Sequence, residues 1–382
     1  MTVTAMRRLD RLLGVPLCWI MGLVLRAGSG RREIRDPQRI LVMKFFGLGS
    51  VLLTTAVLRQ VRTDRPGVHI TYVTFATNGE LVLRSGVADE VLLLDQSSPA
   101  RFVLDTIRTI VALRRSTFDA VVDFEFFSKF STLLGAISGA PVRGGFELPT
   151  RWRSMILTHS VPIDKHHHVI HSFSSLVSAV SGSHASPVSP VMGTDGEIRR
   201  AVKRKLGGFP GRMIVLNVNA GATFRERRWA PDRFSRVVDL LAEKEGFTFA
   251  FVGSADEREY VQSVIDHSHR RERCLNLAGA LTIGEFPELL RESISFISND
   301  SGPLHIAAAV GTPIVALYGP ESPLFYGPLS ENAEVIYKNI PCSPCMNVYN
   351  AKQFHCPYNA KCMDEISVED VIDAFTTITA AR

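Results

Sequence analysis

The chain lacks most of the features that announce a function outright. Leu12 to Leu25, its apolar run near the N-terminus, stops at 14 residues, short of the roughly 20 that cross a bilayer as a helix. No Asp-x-Asp pair occurs to cradle a divalent metal. There is no lysine run, no interleaving of basic and aromatic residues and no nucleic-acid motif, which sets nucleic acid aside as a partner. No short-period repeat or low-complexity tract breaks the sequence. The Gly-rich turn Gly47-Leu48-Gly49-Ser50 has Leu52 where a dinucleotide fingerprint needs its third glycine, and no acid clearly ends the next strand. A dinucleotide site is therefore a poor reading.

What is present is a globular composition in a long chain. The 382 residues, 46% hydrophobic and 21% charged, leave room for two or three domains with ample cores. A net charge of +5 is mildly basic and suits phosphate-rich partners without demanding them. From Ile40 the pattern alternates. Apolar runs at 40–45, 70–75, 91–94, 120–124 and 142–146 alternate with helical stretches that include 51–61, 102–113 and 130–138. A second series starts at Ile214 and runs through 234–242, 248–252 and 257–265 to a last unit at 296–320. This alternation predicts an α/β protein with doubly wound sheets. A Ser-, Pro- and Gly-rich stretch between the two series reads as a linker. The expected layout is an N-terminal segment (1–33), a first Rossmann-like domain (34–184), a linker (185–211) and a second Rossmann-like domain (212–382).

The N-terminal segment is basic on both flanks, with Arg7, Arg8 and Arg11 before the apolar run and Arg26, Arg31 and Arg32 after it. The run is apolar on all sides rather than amphipathic. Three readings stay open. One is a membrane-surface anchor, with the arginines on acidic head groups and Trp19 at the interface. The others are a helix packed on the protein's own core and a secretory signal. The anchor is the expectation carried forward.

Phe296 to Pro320 carries the clearest chemistry. An apolar strand ends at the turn Asn299-Asp300-Ser301-Gly302, a short Ala-rich helix follows, Gly311-Thr312-Pro313 stops it, and Ile314 to Tyr318 is a second buried strand. Unpaired amides and the positive end of the helix dipole meet at the helix start, which makes a ready phosphate site. Asp300 and Ser301 are candidate caps, and His305 lies in the first turns, in reach of the same anion.

DSGPLHIAAAVGTPIVALYGP resembles the nucleotide-sugar signature of glycosyltransferase family 9, the heptosyltransferase-like enzymes of lipopolysaccharide core assembly. RILVMKFFGLGSVLLTTAVLRQVR, IVLNVNAGATFRERRWAPDRFSRVVDLLAE and the Cys-rich tail after Pro341 match the family in order, over about Ile40 to Val371. The resemblance implies GT-B architecture, two Rossmann-like doubly wound domains facing across a cleft. It implies an inverting, metal-independent glycosyltransferase with no cofactor for catalysis. The implied donor is a nucleotide sugar, ADP-heptose first among them. The implied acceptor is a lipopolysaccharide core or another lipid-linked oligosaccharide, met in the cytoplasm at the inner face of the membrane. The alternatives are a family 9 transferase of a different sugar and a non-catalytic nucleotide-sugar-binding protein.

By the same resemblance, Thr223 and Arg227, with Arg228 adjacent, bind the donor diphosphate, and Glu257 reaches the ribose. Asp300, Ser301, Gly302 and His305 complete the donor pocket. Negative charge grows on the leaving diphosphate, and fixed cations and amides stabilise it best in the transition state, which gives Arg227 a catalytic role. Gly47, Gly49, Ser50 and Arg143 fall on the acceptor side. Where this chain has Ser50 the family usually has an Asp taken as the base. A serine hydroxyl cannot hold the proton at neutral pH unless another group takes it on. Asp123, Glu125 and Glu147, each at the end of a first-domain strand, are unranked candidates. Of six cysteines, Cys18 and Cys274 sit alone, while Cys342, Cys345, Cys356 and Cys362 cluster near the C-terminus. The Cys-x-x-Cys pair is half of a structural zinc site. Free thiols are the alternative, since cytosolic disulfides are disfavoured.

Overall fold

The apolar runs form parallel strands, most of them buried on both faces between helices, with the edge strand at 91–94 partly exposed. The computed structural model describes residues 10, 12–26, 36–148, 151–183, 188–207, 212–221, 224–244, 246–350 and 354–380. Contacts divide the chain into two units, Met1–Val188 and Ser189–Arg382. In the first unit, β1 (Arg39–Met43), β2 (His69–Phe75), β3 (Glu90–Leu94), β4 (Ala120–Asp123), β5 (Val142–Phe146) and β6 (His159–Val161) form one parallel sheet. Its order is β3-β2-β1-β4-β5-β6. In the second, β7 (Arg212–Asn217), β8 (Phe247–Phe251), β9 (Cys274–Asn276), β10 (Ser295–Asn299), β11 (Ile314–Tyr318) and β12 (Ala333–Tyr337) do the same. Their order is β12-β11-β10-β7-β8-β9.

The two sheets are wound identically. In each, the chain moves outward over three strands, then returns beside the first and winds the other way. The direction reverses between β1 and β4 in the first sheet and between β7 and β10 in the second. Helices diverge above a reversal and leave a crevice at the carboxyl ends of the strands, which is where doubly wound sheets bind ligands. The doubly wound α/β expectation therefore holds in both halves. Strands β6, β9 and β12 escaped the sequence pattern because they are short or only half-buried edge strands.

Three further details differ from expectation. Gly49 and Ser50 are not in a turn: the helix Leu48–Asp64 starts before them, with Gly47 at its N-cap in the left-handed region (φ 84°). The stretch read as a linker contains a helix, Gly196–Lys205, capped by Asp195, whose carboxylate accepts from Glu197 N at 2.9 Å and Ile198 N at 3.1 Å. That helix belongs to the second unit through Lys205–Glu285 and a bond from Asp195 N to Glu288 Oε1 at 3.0 Å. It hid in the sequence because it buries a single side chain, Val202.

The third difference is the N-terminal helix Gly14–Arg26. Its Gly14, Cys18 and Gly22 face the body of the first unit. A Cβ on Gly14 would lie 2.6 Å from Lys129 Cβ, and one on Gly22 2.7 Å from Met155 Cβ, so the small residues allow backbone-close packing. Cys18 is fully buried with Ala136, Trp152 and Ile156. Asp10 accepts from Lys129 N and Phe130 N at 3.0 and 2.8 Å. The remaining surface is apolar and open: Leu12, Leu13, Ile20, Leu23 and Val24 are each more than half exposed. One face is thus core and the other is bare. Arg7, Arg8, Arg11, Arg31 and Arg32 lie outside the described residues. No described helix is long and apolar enough to cross a membrane.

Candidate functional site

The reversal in the second sheet is held by buried amides. Asn217, the last residue of β7, donates through Nδ2 to Ser298 Oγ at 3.0 Å and to Ser301 Oγ at 2.8 Å, which ties β7 to the turn after β10. Asn299, the last residue of β10, accepts from Trp229 N at 3.0 Å and donates to Val218 O at 2.9 Å. Trp229 is fully buried and its indole donates to Ile366 O at 2.9 Å. Asn299 satisfies two backbone groups that the reversal leaves without ladder partners, while Asn217 joins the strands through serine hydroxyls.

Above this floor starts the helix Gly302–Val310. Ser301 occupies its N-cap, but no side chain caps the helix. The Ser301 hydroxyl is taken by Asn217 and Asp300 pairs elsewhere, so the capping role expected for both is not what they do. Pro303 has no N–H and Leu304 N donates to Ser301 O at 3.1 Å, so the Gly302 N–H is what the first turn leaves for a ligand. His305, expected beside the anion, is buried inside this helix.

Arg227 reaches the same place from the loop after β7. Its Nη1 lies 2.9 Å from Asp300 Oδ2, its Nη2 lies 3.2 Å from Glu321 Oε2 and 3.1 Å from Met346 Sδ, and its guanidinium stacks 4.5 Å from the Phe224 ring centre. All three charged groups are largely sealed from water. Burial pushes the Glu321 carboxyl up to about 8, with Arg227 opposing and Asp300 adding to the rise. Glu321 is therefore mostly protonated at neutral pH, and burial raises the Asp300 carboxyl too, with Arg227 opposing. Glu321 follows a Gly-Pro turn with no surrounding pattern in the sequence, and its role emerges only from the fold.

The remaining donor-side residues split. Arg228 lies over the Tyr260 ring at 4.5 Å and 3.9 Å from Glu257 Oε1. Glu257 accepts through Oε2 from Ser254 N at 2.9 Å and Ser254 Oγ at 3.0 Å in a capping box, leaving its other oxygen toward Arg228. Thr223 lies outside the described residues.

In the first unit, the reversal gathers Lys44 to Gly47 from β1 and Asp123 to Phe126 from β4. Glu125 Oε1 accepts from Lys44 Nζ at 3.1 Å, Phe45 N at 2.8 Å and Phe46 N at 3.0 Å. Asp123 accepts from Arg153, Ser131 and Thr132 at 2.8–3.1 Å and is 1% exposed. Glu147 is exposed, one strand farther out. The acceptor role expected of Arg143 does not survive. It sits near the amino end of β5, is 7% exposed, and donates to Ile156 O at 2.8 Å and Ala140 O at 2.6 Å. It ties strand to loop in the interior, away from the carboxyl ends of the strands.

The four clustered cysteines share one neighbourhood. Burial pushes Cys362 up to about 11 and raises Cys345, and the other sulfurs of the cluster add to both. Among the described residues, however, no three His, Cys, Asp or Glu side chains converge as metal ligands. The cysteine segment instead props the donor loop: Cys345 N and Met346 N both donate to Pro320 O, at 2.9 and 2.8 Å, next to Glu321.

The sequence model of glycosyltransferase family 9 (heptosyltransferase) matches residues 106–354. Lipooligosaccharide heptosyltransferase 2 of Haemophilus influenzae is 35% identical over 130 residues, which is 33% of this chain and 37% of that protein. The matched stretch thus spans little more than a third of that relative. The crystal structure of a family 9 glycosyl transferase from Veillonella parvula superposes with a TM-score of 0.77 at 24% identity, covering 92% of this chain and all of that one. An E. coli structure titled ADP-heptose lps heptosyltransferase II gives 0.73 at 20% identity, covering 90% of this chain and 99% of the other. These likenesses assign the GT-B fold.

Glu321 gives a testable sign. The folded chain holds a proton on Glu321 that the unfolded chain has lost between pH 4.5 and about 8. Its contribution to stability is complete below pH 4.5 and is lost as pH rises toward 8. Glu321→Gln keeps the shape and removes the titration. Its melting temperature relative to wild type is expected to rise between about pH 5 and pH 8.5, by roughly 2–4 °C for each kcal/mol recovered. A gap that stays constant across that range would contradict the assignment.

Proposed function

The chain belongs to glycosyltransferase family 9, and from that premise we propose that it transfers a sugar from a nucleotide diphosphate donor to a lipopolysaccharide-core or other lipid-linked acceptor. Heptose from ADP-heptose is the proposed donor, following the relatives' names. The observation that carries the reading is the meeting of Arg227, Asp300 and an uncapped helix start at one sheet reversal. An acceptor oxygen bonds to the anomeric carbon from the face opposite the diphosphate. The carbon–phosphate-oxygen bond breaks, and its electron pair leaves with the nucleoside diphosphate, so configuration inverts. In this proposal the Gly302 N–H, the positive end of the helix dipole and the Arg227 guanidinium stabilise that departing charge without a metal.

A panel of nucleotide sugars, scored by thermal shift and then by product mass, tests this directly. Arg227→Ala is expected to weaken nucleoside diphosphate binding at least tenfold, since a charged hydrogen bond contributes about 1.5–3 kcal/mol. An unchanged dissociation constant removes Arg227 from the pocket. Binding with no product from any acceptor would favour a non-catalytic nucleotide-sugar-binding protein, the reading that Ser50 keeps alive.

The protein's place in this proposal is cytoplasmic, on the inner face of the membrane. The bare apolar face of helix Gly14–Arg26 and the arginines flanking it in sequence support a surface anchor. Ile20→Glu with Leu23→Glu is expected to lower affinity for anionic vesicles at least tenfold, since burying each such side chain contributes about 1.5–3 kcal/mol. Unchanged vesicle binding would discard the anchor. For the cysteine cluster the proposal is a structural zinc, which requires the four sulfurs to draw together. About one zinc per purified chain is expected by elemental analysis, and a chain with none leaves the four as free thiols.

A further inference from the structure

The transfer proposed above removes a proton from the acceptor hydroxyl, and Ser50 has no means of keeping it. The ionisable groups at the first unit's reversal are Lys44, Asp123, Glu125 and Arg153. Asp123 is spent: Oδ2 accepts from Arg153, Ser131 and Thr132, and Oδ1 accepts from Glu125 N at 3.1 Å. Arg153 is spent on Asp123 and on Phe126 O, at 2.6 Å. Glu125 is arranged differently. All three of its donors, Lys44 Nζ, Phe45 N and Phe46 N, fall on Oε1. Among the described residues Oε2 takes no hydrogen bond and is not a fully sealed polar atom, so it keeps some exposed area on a side chain that is 7% exposed overall. One oxygen is therefore clamped and the other is presented.

The backbone that Glu125 clamps leads through Gly47 to Ser50, three residues on. Glu125 grips the backbone of Phe45 and Phe46, which lead into Gly47. A Cβ built on Gly47 would lie 3.3 Å from Ser50 Oγ. Thr74 Oγ1 and Asn78 Nδ2 hold the carbonyls of Lys44 and Phe45 at 2.6 and 2.8 Å, so the loop cannot retreat from the carboxylate. A carboxylate fixed by three donors on one oxygen is pre-oriented, as proton transfer in the transition state requires.

We propose that Glu125 is the general base of this transferase, taking through Oε2 the proton that the acceptor hydroxyl loses. The acceptor oxygen forms its bond to the anomeric carbon as its proton passes to Glu125. The electron pair of the breaking bond leaves on the diphosphate, and Glu125 later gives its proton to water. This assignment rests on the transferase reading.

The test uses the full chain with the donor and acceptor that the panel identifies. Glu125→Gln keeps an oxygen for Phe45 N and Phe46 N but cannot accept the proton. Its kcat is expected to fall about 100- to 10,000-fold, with nucleoside diphosphate binding near wild type and a lower melting temperature, since the buried Lys44 ammonium loses its charged partner. Ser50→Asp introduced into Glu125→Gln returns a carboxylate to the first turn of the helix that follows the clamped backbone and is expected to recover at least tenfold in kcat, which a loss of bracing alone would not allow. If Glu125→Gln fails to fold, Glu125→Asp keeps the charge facing Lys44 and withdraws the oxygen by one methylene. A fall of at least tenfold in its kcat supports the base, and a wild-type rate overturns it. Turnover of Glu125→Gln within about threefold of wild type, or no recovery in the double variant, also overturns it while leaving the transferase reading intact. A wild-type chain that transfers no sugar removes both.

Discussion

The reversal of winding between β7 and β10 is the constraint on which the donor side depends. Two parallel strands whose following helices part company leave a gap in the layer above the sheet. Their last backbone groups then have neither ladder nor helix to bond to. Asn299 fills that need from inside, stitching β10 to Val218 and Trp229, while Asn217 stitches β7 to the hydroxyls of Ser298 and Ser301. Because Asn217 takes the Ser301 hydroxyl, the helix after it starts uncapped. Because Asn299 fixes Trp229, the preceding loop delivers Arg227 to the same spot. Floor, helix start and cation follow from one topological event.

The carboxylates around Arg227 then set its charge state. Two ionised acids beside one guanidinium would leave the pocket negative and repel a diphosphate. Burial works against this by raising both carboxyls, Glu321 to about 8. The cysteine segment contributes at one remove. Its backbone holds Pro320, and its Met346 sulfur lies against the guanidinium. The first unit repeats the logic with different residues. Lys44, Glu125 and the loop amides occupy the position at β1 and β4 that Asn217 and Asn299 hold in the second.

Much of this was legible in the sequence. Strands buried on both faces are continuous apolar runs, so β1, β2, β7, β8, β10 and β11 stood out, and the turn at Asp300 marked the helix start. The resemblance located Arg227, though not the acids that surround it. What stayed hidden is long-range or polar. Glu321 lies 94 positions from Arg227, and no local pattern joins them. Helix Gly196–Lys205 buries only Val202 and reads as a polar linker. Arg143 was placed on the acceptor side by resemblance because sequence gives its type but not the two carbonyls that hold it inside. The run from Leu12 to Leu25 hid its two faces because Gly14, Cys18 and Gly22 make the packed side no more apolar than the bare one.

The claim that the second reversal is the donor site can be checked by determining the structure of the chain with a nucleoside diphosphate bound. The account expects the phosphate oxygens within hydrogen-bond distance of the Gly302 N–H and of the Arg227 guanidinium, at the carboxyl ends of β7 and β10. A diphosphate bound elsewhere in the second unit, with that N–H and Arg227 uninvolved, would contradict it.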